Sequence, residues 1–162
     1  SNTLDKINDH YLQINSDYLV CRLLLEKKTG ELLPVKDTPF DFNKRKRIGQ
    51  DLEADHIQLK NAFGYDHSFV LNGTENQLTL EEPVSGRRLI ISTTAPVVQV
   101  YTGNFLKDGC IGKAGRVYEN REGVALETQL MPNAINTEEN PSTILRKGDK
   151  FESNTKYVFE IM

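Results

Sequence analysis

HSFVLNGTENQLTLEEPVSGRRLIIST, residues 67–93, is the stretch that decides the fold. Three runs rich in Phe, Val, Leu and Ile, at 67–72, 77–82 and 87–93, are separated by Gly73-Thr74-Glu75-Asn76 and by Pro83-Val84-Ser85-Gly86. Short apolar runs bounded by Gly, Pro, Asn and Ser are strand signals, and connections this short favour hairpins. The stretch therefore predicts a meander of three antiparallel strands.

The same texture continues outward. HYLQI (10–14) and GELLPV (30–35) precede it; VVQVYTG (97–103), GVALETQL (123–130) and TKYVFEIM (155–162) follow. TPFDFNKRKRIGQDLE (38–53) reads as a polar loop with one helical turn near Ile48 to Leu52, and NAINTEENPST (133–143) as a long surface loop. Helical periodicity is scarce, and no repeat or low-complexity tract occurs. The expectation is one mainly β domain, an antiparallel β-sandwich or part of one.

Charge and composition exclude several function classes. Twenty basic residues against 23 acidic ones give a net charge of −3, which is no footprint for nucleic acid. Arg45-Lys46-Arg47 is the one basic cluster; Asp41, Asp51 and Glu53 flank it, and it reads as a solvated loop. No apolar run approaches the roughly 20 residues of a membrane span. LVCRLLL, the longest aliphatic cluster near the start, is broken by Arg22 and makes no secretory h-region. Cys21 and Cys110 stand far apart, no CxxC occurs, and the three histidines are scattered, so neither a disulfide framework nor a metal site is expected. A cytoplasmic, reducing setting follows. The chain opens Ser-Asn-Thr without an initiator methionine, which reads as a processed chain or an expressed piece.

Period two sorts the later strands by face. Val98, Val100 and Thr102 share one face of VVQVYTG, and Val97, Gln99 and Tyr101 the other. In GVALETQL, Val124, Leu126, Thr128 and Leu130 oppose Ala125, Glu127 and Gln129. Tyr157, Phe159 and Ile161 point one way from the last strand, Val158 and Glu160 the other. A face of Gln, Tyr and Glu suits a ligand rich in hydroxyls, since amides donate and accept and carboxylates accept. It equally suits a solvated sheet face with no ligand at all. Asp66 carries the same double reading: turn chemistry after Gly64-Tyr65, or a functional carboxylate. Asp66 with Glu127 also has the composition of a glycosidase pair.

Read together, seven blocks resemble, in order, the C-terminal half of the aldose 1-epimerases, also called galactose mutarotases. They are DHYLQINSDY (9–18), GELLPVKDTPFDF (30–42), GYDHSFVLN (64–72), SGRRLIISTTAP (85–96), VQVYTGNFL (98–106), ALETQLMPNAIN (125–136) and PSTILRKGD (141–149). The resemblance implies that residues 1–162 are the C-terminal portion of a larger mutarotase-like supersandwich binding a free hexose in an open groove. It implies that Glu127 is the general base that takes the anomeric proton and that Asp66 binds sugar hydroxyls. Gln99 falls on the groove-lining strand; Tyr101 and Gln129 are weaker candidates, carried by face alternation alone.

Ring opening also needs an acid at the ring oxygen, a role suited to histidine. In the family the catalytic histidines, and the arginine that helps bind sugar, lie upstream of the DHYLQI-like block. None of His10, His56 and His67 matches a catalytic position. The chain alone is therefore expected to be inactive and, as part of a cut sandwich, to self-associate. No cofactor is implied. The alternative from another class is a non-catalytic carbohydrate-binding sandwich.

Overall fold

The computed structural model describes residues 6–22, 28–107, 111–113, 115–136 and 143–162. Cys110 and residues 137–142 of the expected surface loop lie outside them. Among the described residues ten strands form two five-stranded sheets, all of whose pairings are antiparallel. One sheet runs β10 (Thr155–Ile161), β7 (Arg87–Thr93), β6 (Leu78–Glu82), β1 (Tyr11–Ile14), β4 (Lys46–Arg47). The other runs β3 (Lys28–Pro34), β2 (Tyr18–Arg22), β5 (Asp66–Val70), β8 (Val97–Tyr101), β9 (Ala125–Gln129). Among the described residues no helix is long and apolar enough to cross a membrane.

The expected sandwich is present, but the expected meander is not. Of those three strands only β6 and β7 pair with each other; β5 lies in the facing sheet between β2 and β8. The β6–β7 turn is built from its own residues. The Glu82 carboxylate accepts the N–H groups of Val84 at 2.7 Å and Ser85 at 2.8 Å, and Gly86 takes the left-handed φ of +69°. Residues 71–77 instead carry the chain between layers. Leu71 N–H donates to Pro96 O, Asn72 N–H to Asn15 O and Asn15 N–H to Gln77 O. Phe69 is wholly buried in the core, between Leu19 of β2 and Val98 of β8 in register, so β5 is already satisfied on both edges.

The core lies between the sheets. Leu12, Ile14, Leu78 and Ile91 come from one layer, and Leu19, Phe69, Val98 and Val100 from the other. The loop after β3 departs from the polar reading. Phe40 and Phe42 are fully buried and meet the Tyr65 ring edge-on. Each such burial contributes roughly 1.5–3 kcal/mol, so the two phenylalanines make this loop part of the core. The basic cluster is likewise not simply solvated. Lys46–Arg47 forms β4, Lys46 Nζ lies 4.4 Å from the Phe42 ring centroid and bonds Asp51, and Arg45 bonds Glu81. The helical turn expected near Ile48 appears as a 3-10 turn at Ile48–Gln50.

Two elements escaped the sequence reading. β2 occupies the start of LVCRLLL, and helix α1 (Ile57–Ala62) occupies a stretch to which no element was assigned. His56 caps that helix, its Nδ1 accepting from Gln58 N–H at 3.2 Å. Six residues are too few to show a helical period in sequence.

Candidate active site

The second sheet turns one face to the core and the other outward, and the outward face carries the site. Alternation places Val20 and Arg22 of β2, Asp66, Ser68 and Val70 of β5, Val97, Gln99 and Tyr101 of β8, and Ala125, Glu127 and Gln129 of β9 on that face. Val20, Val70 and Val97 form its apolar end with Met131 and Ala134. At the polar end is an open groove of about 390 Å³ lined by Arg22, Asp66, Gln99, Tyr101, Phe105, Glu127 and Gln129.

Register sets these residues side by side. Ser68 lies opposite Gln99, and Gln99 opposite Glu127. Asp66 lies opposite Tyr101, which lies opposite Ala125. Gln99, only 6% exposed, is oriented from both ends: Ser68 Oγ donates to its Oε1, and its Nε2 donates to Asp66 Oδ1. Arg22 Nη1 donates to the other carboxylate oxygen of Asp66. Asp66 is thus locked in place by a cation and an amide. Glu127 is exposed, and among the described residues no side chain bonds its carboxylate. Tyr101 Oη accepts the Phe105 N–H at 2.9 Å. The arrangement offers one fixed acceptor and one free acceptor across an open groove, which suits hydroxyl binding beside proton abstraction.

The five residues singled out from the sequence, Asp66, Gln99, Tyr101, Glu127 and Gln129, are brought together on this one face. Arg22 was missed. The sequence reading treated it as the break in an aliphatic run, whereas period two over YLVCR would have set it on a face with Val20. The histidines stay out of the groove. His67 is buried on the core face; its ring lies edge-on to Phe40, and its Nδ1 accepts the Asp66 N–H at 3.0 Å. His56 caps α1. His10 stands at the start of β1 in the other sheet, where burial draws its imidazole below the usual pKa against the pull of Glu82.

A larger cavity, about 700 Å³, adjoins the groove, and Phe105 lines both. Three of its charged groups are engaged. Arg121 donates to Phe63 O at 2.6 Å and Asn104 Oδ1 at 2.7 Å, and Asp55 pairs with Lys60. The residues singled out from the sequence all line the smaller groove.

The sequence pattern of the aldose 1-epimerases fits residues 1–158. The chain belongs to the aldose 1-epimerase family. It is 39% identical over 160 residues to the galactose mutarotase of Homo sapiens, covering 96% of this chain and 45% of that protein. Over 159 residues it is 33% identical to the aldose 1-epimerase of Haemophilus influenzae, covering 95% and 46%. Among solved structures, an aldose epimerase homologue from C. elegans superposes with a TM-score of 0.85 at 27% identity, covering 99% of this chain and 48% of that one. The galactose 1-epimerase of Lactobacillus acidophilus superposes at 0.74, again with 27% identity, and covers 99% and 46%. The chain thus spans a little under half the length of these family members, and its two sheets follow their fold.

Proposed function

We propose that this chain supplies the base and part of the sugar groove of an aldose 1-epimerase that interconverts the α and β anomers of a free aldohexose such as galactose or glucose. Glu127 takes the proton from the anomeric hydroxyl. The ring C–O bond breaks as the ring oxygen gains a proton, the aldehyde turns about the C1–C2 bond, and the ring recloses on its other face. Asp66 accepts hydrogen bonds from the sugar hydroxyls, and Gln99, Tyr101 and Gln129 line the same floor. The observation that carries this reading is the cross-strand row: Glu127 stands opposite Gln99, whose amide bonds Asp66, on one open face of a family member.

The proton for the ring oxygen comes from outside these groove residues, since none of His10, His56 and His67 lines it. Residues 1–162 accordingly act as the C-terminal portion of a larger catalytic sandwich.

Optical rotation of freshly dissolved α-D-galactose tests both statements. The 162-residue chain alone is expected to leave mutarotation at the buffer rate. A longer protein containing it is expected to accelerate the change, and Glu127→Gln to remove that acceleration by roughly 10²–10⁴-fold, the usual weight of a general base. Acceleration that survives Glu127→Gln would remove Glu127 from the role. Acceleration by the chain alone would place the acid within it. A groove that bound hexose in a longer protein without ever accelerating mutarotation would be a carbohydrate-binding sandwich instead.

A further inference from the structure

Arg22 is held with unusual care for a strand-end residue. The pairing of β2 with β3 slips between Val20 and Arg22, with the extra residues on β3, so β2 keeps its alternation and Arg22 stays on the face of Val20. Helix α1 then clamps the main chain on both sides: Arg22 N–H donates to Gln58 Oε1 at 2.7 Å, and Asn61 Nδ2 donates to Arg22 O at 3.0 Å. Gln58 and Asn61 stand three apart, on one face of the helix. The arginine side chain is 12% exposed, so it is aimed at the groove rather than swept through solvent.

Its guanidinium is only partly used. Nη1 serves the Asp66 carboxylate and, at 3.1 Å, the Asp66 main-chain oxygen. Nε is buried without a partner, and Nη2 has none among the described residues. A guanidinium carries five donors, and an ionised carboxylate accepts about four hydrogen bonds. Asp66 spends one on Arg22 and one on Gln99. The buried Nε is out of a ligand's reach, so the capacity left at the groove is that of Nη2 and of the remaining Asp66 lone pairs. Because the charges of Arg22 and Asp66 compensate, the couple offers little to a phosphate or carboxylate. It suits uncharged hydroxyls, each of which gives a proton to Asp66 or accepts one from Arg22.

Position adds direction. The strand order β2, β5, β8, β9 sets Arg22 three strands from Glu127, about 14 Å of sheet width at ordinary spacing, with Asp66 and Gln99 between. A pyranose whose anomeric hydroxyl faces Glu127 presents its opposite edge, C3 and C4, to Arg22 and Asp66.

We propose that Arg22 is a substrate-positioning residue, forming with Asp66 a neutral donor–acceptor couple that grips the C3 and C4 hydroxyls of the hexose and so weighs the choice between C4 epimers. This inference rests on the reading of the groove as an aldohexose site.

The test is equilibrium binding of D-galactose and its 2-, 3- and 4-deoxy analogues to a longer protein that contains residues 1–162, followed by ligand-observed NMR. Wild type, Arg22→Met, Arg22→Lys and Glu127→Gln are compared, with circular dichroism to confirm folding. Arg22→Met is expected to weaken D-galactose about tenfold, the weight of one charge-assisted hydrogen bond. The loss should persist with 2-deoxygalactose and shrink below about twofold with the 3- or 4-deoxy sugar. Arg22→Lys, which keeps the charge but not the planar fork, should fall between, and it carries the test if Arg22→Met does not fold. An equal loss with every analogue, or no loss with any, would overturn the role of Arg22 while leaving the sugar groove standing. Absence of hexose binding by wild type and Glu127→Gln alike would overturn the sugar-site reading itself, and this inference with it.

Discussion

Glu127 and Asp66 share one sheet face in opposite circumstances. Asp66 accepts from Arg22 and Gln99 and is 18% exposed, whereas the exposed Glu127 carboxylate bonds no described side chain. A base must keep a lone pair open for the proton it takes, and a binding carboxylate profits from being held still. Stability should separate the two. Asp66→Asn leaves the largely buried Arg22 guanidinium uncompensated and is expected to cost roughly 3 kcal/mol in urea unfolding. Glu127→Gln, at an exposed and unpartnered site, should stay within about 0.5 kcal/mol. Equal midpoints for the two variants would show that the Arg22–Asp66 pair holds nothing together. Glu127 was legible from strand alternation and the family motifs, Asp66 from the motifs alone. Arg22 was not, because its place in the groove depends on β2 lying beside β5, strands more than 40 residues apart in the chain.

Helix α1 shows how an element absent from the sequence pattern governs the site. Its six residues could not hold a helix alone; nucleation is unfavourable, and isolated helices this short are marginal in water. It persists through the His56 cap, the left-handed Phe63 at its C-terminus, and the burial of Leu59 and Ala62. In return, Gln58 and Asn61 hold the Arg22 backbone, and Gln58 Nε2 donates to Cys21 Sγ at 3.2 Å. Gln58→Ala strands a part-buried N–H and is expected to destabilise the protein by roughly 1–3 kcal/mol. Amide exchange at Arg22 should quicken more than at Phe69 in the centre of the sheet. Exchange that stays unchanged at Arg22 would show that β3 pairing alone holds the strand end.

At the scale of the molecule, sheet width matters more than any residue. Tyr157 and Phe159 lie opposite Ile91 and Leu89 of β7, so they continue the inner face of the first sheet. Yet Tyr157, Phe159 and Ile161 are 48%, 78% and 76% exposed, and β10 is an edge strand. An apolar stripe beside unpaired backbone is a template for association. The isolated chain is expected to sediment as a dimer or larger species at micromolar concentration, and Phe159→Lys with Ile161→Lys to return it to monomer. A wild-type chain that stays monomeric into the millimolar range would contradict this.

The sequence by itself determined which residues share a strand face, because alternation is a property of the extended backbone and needs no partner. It thereby determined the mainly β class, the hairpin at Pro83–Gly86 and the company of Gln99 with Tyr101 and of Glu127 with Gln129. Only the tertiary structure decided which strands are neighbours and which faces are covered. The strand of residues 66–70 could pair with the next strand in sequence or with more distant ones, and the choice falls to the arrangement that buries Phe69 between two apolar partners. That choice, made by burial across the whole sandwich rather than by local preference, drew Phe40 and Phe42 out of a polar loop and brought Arg22 to Asp66.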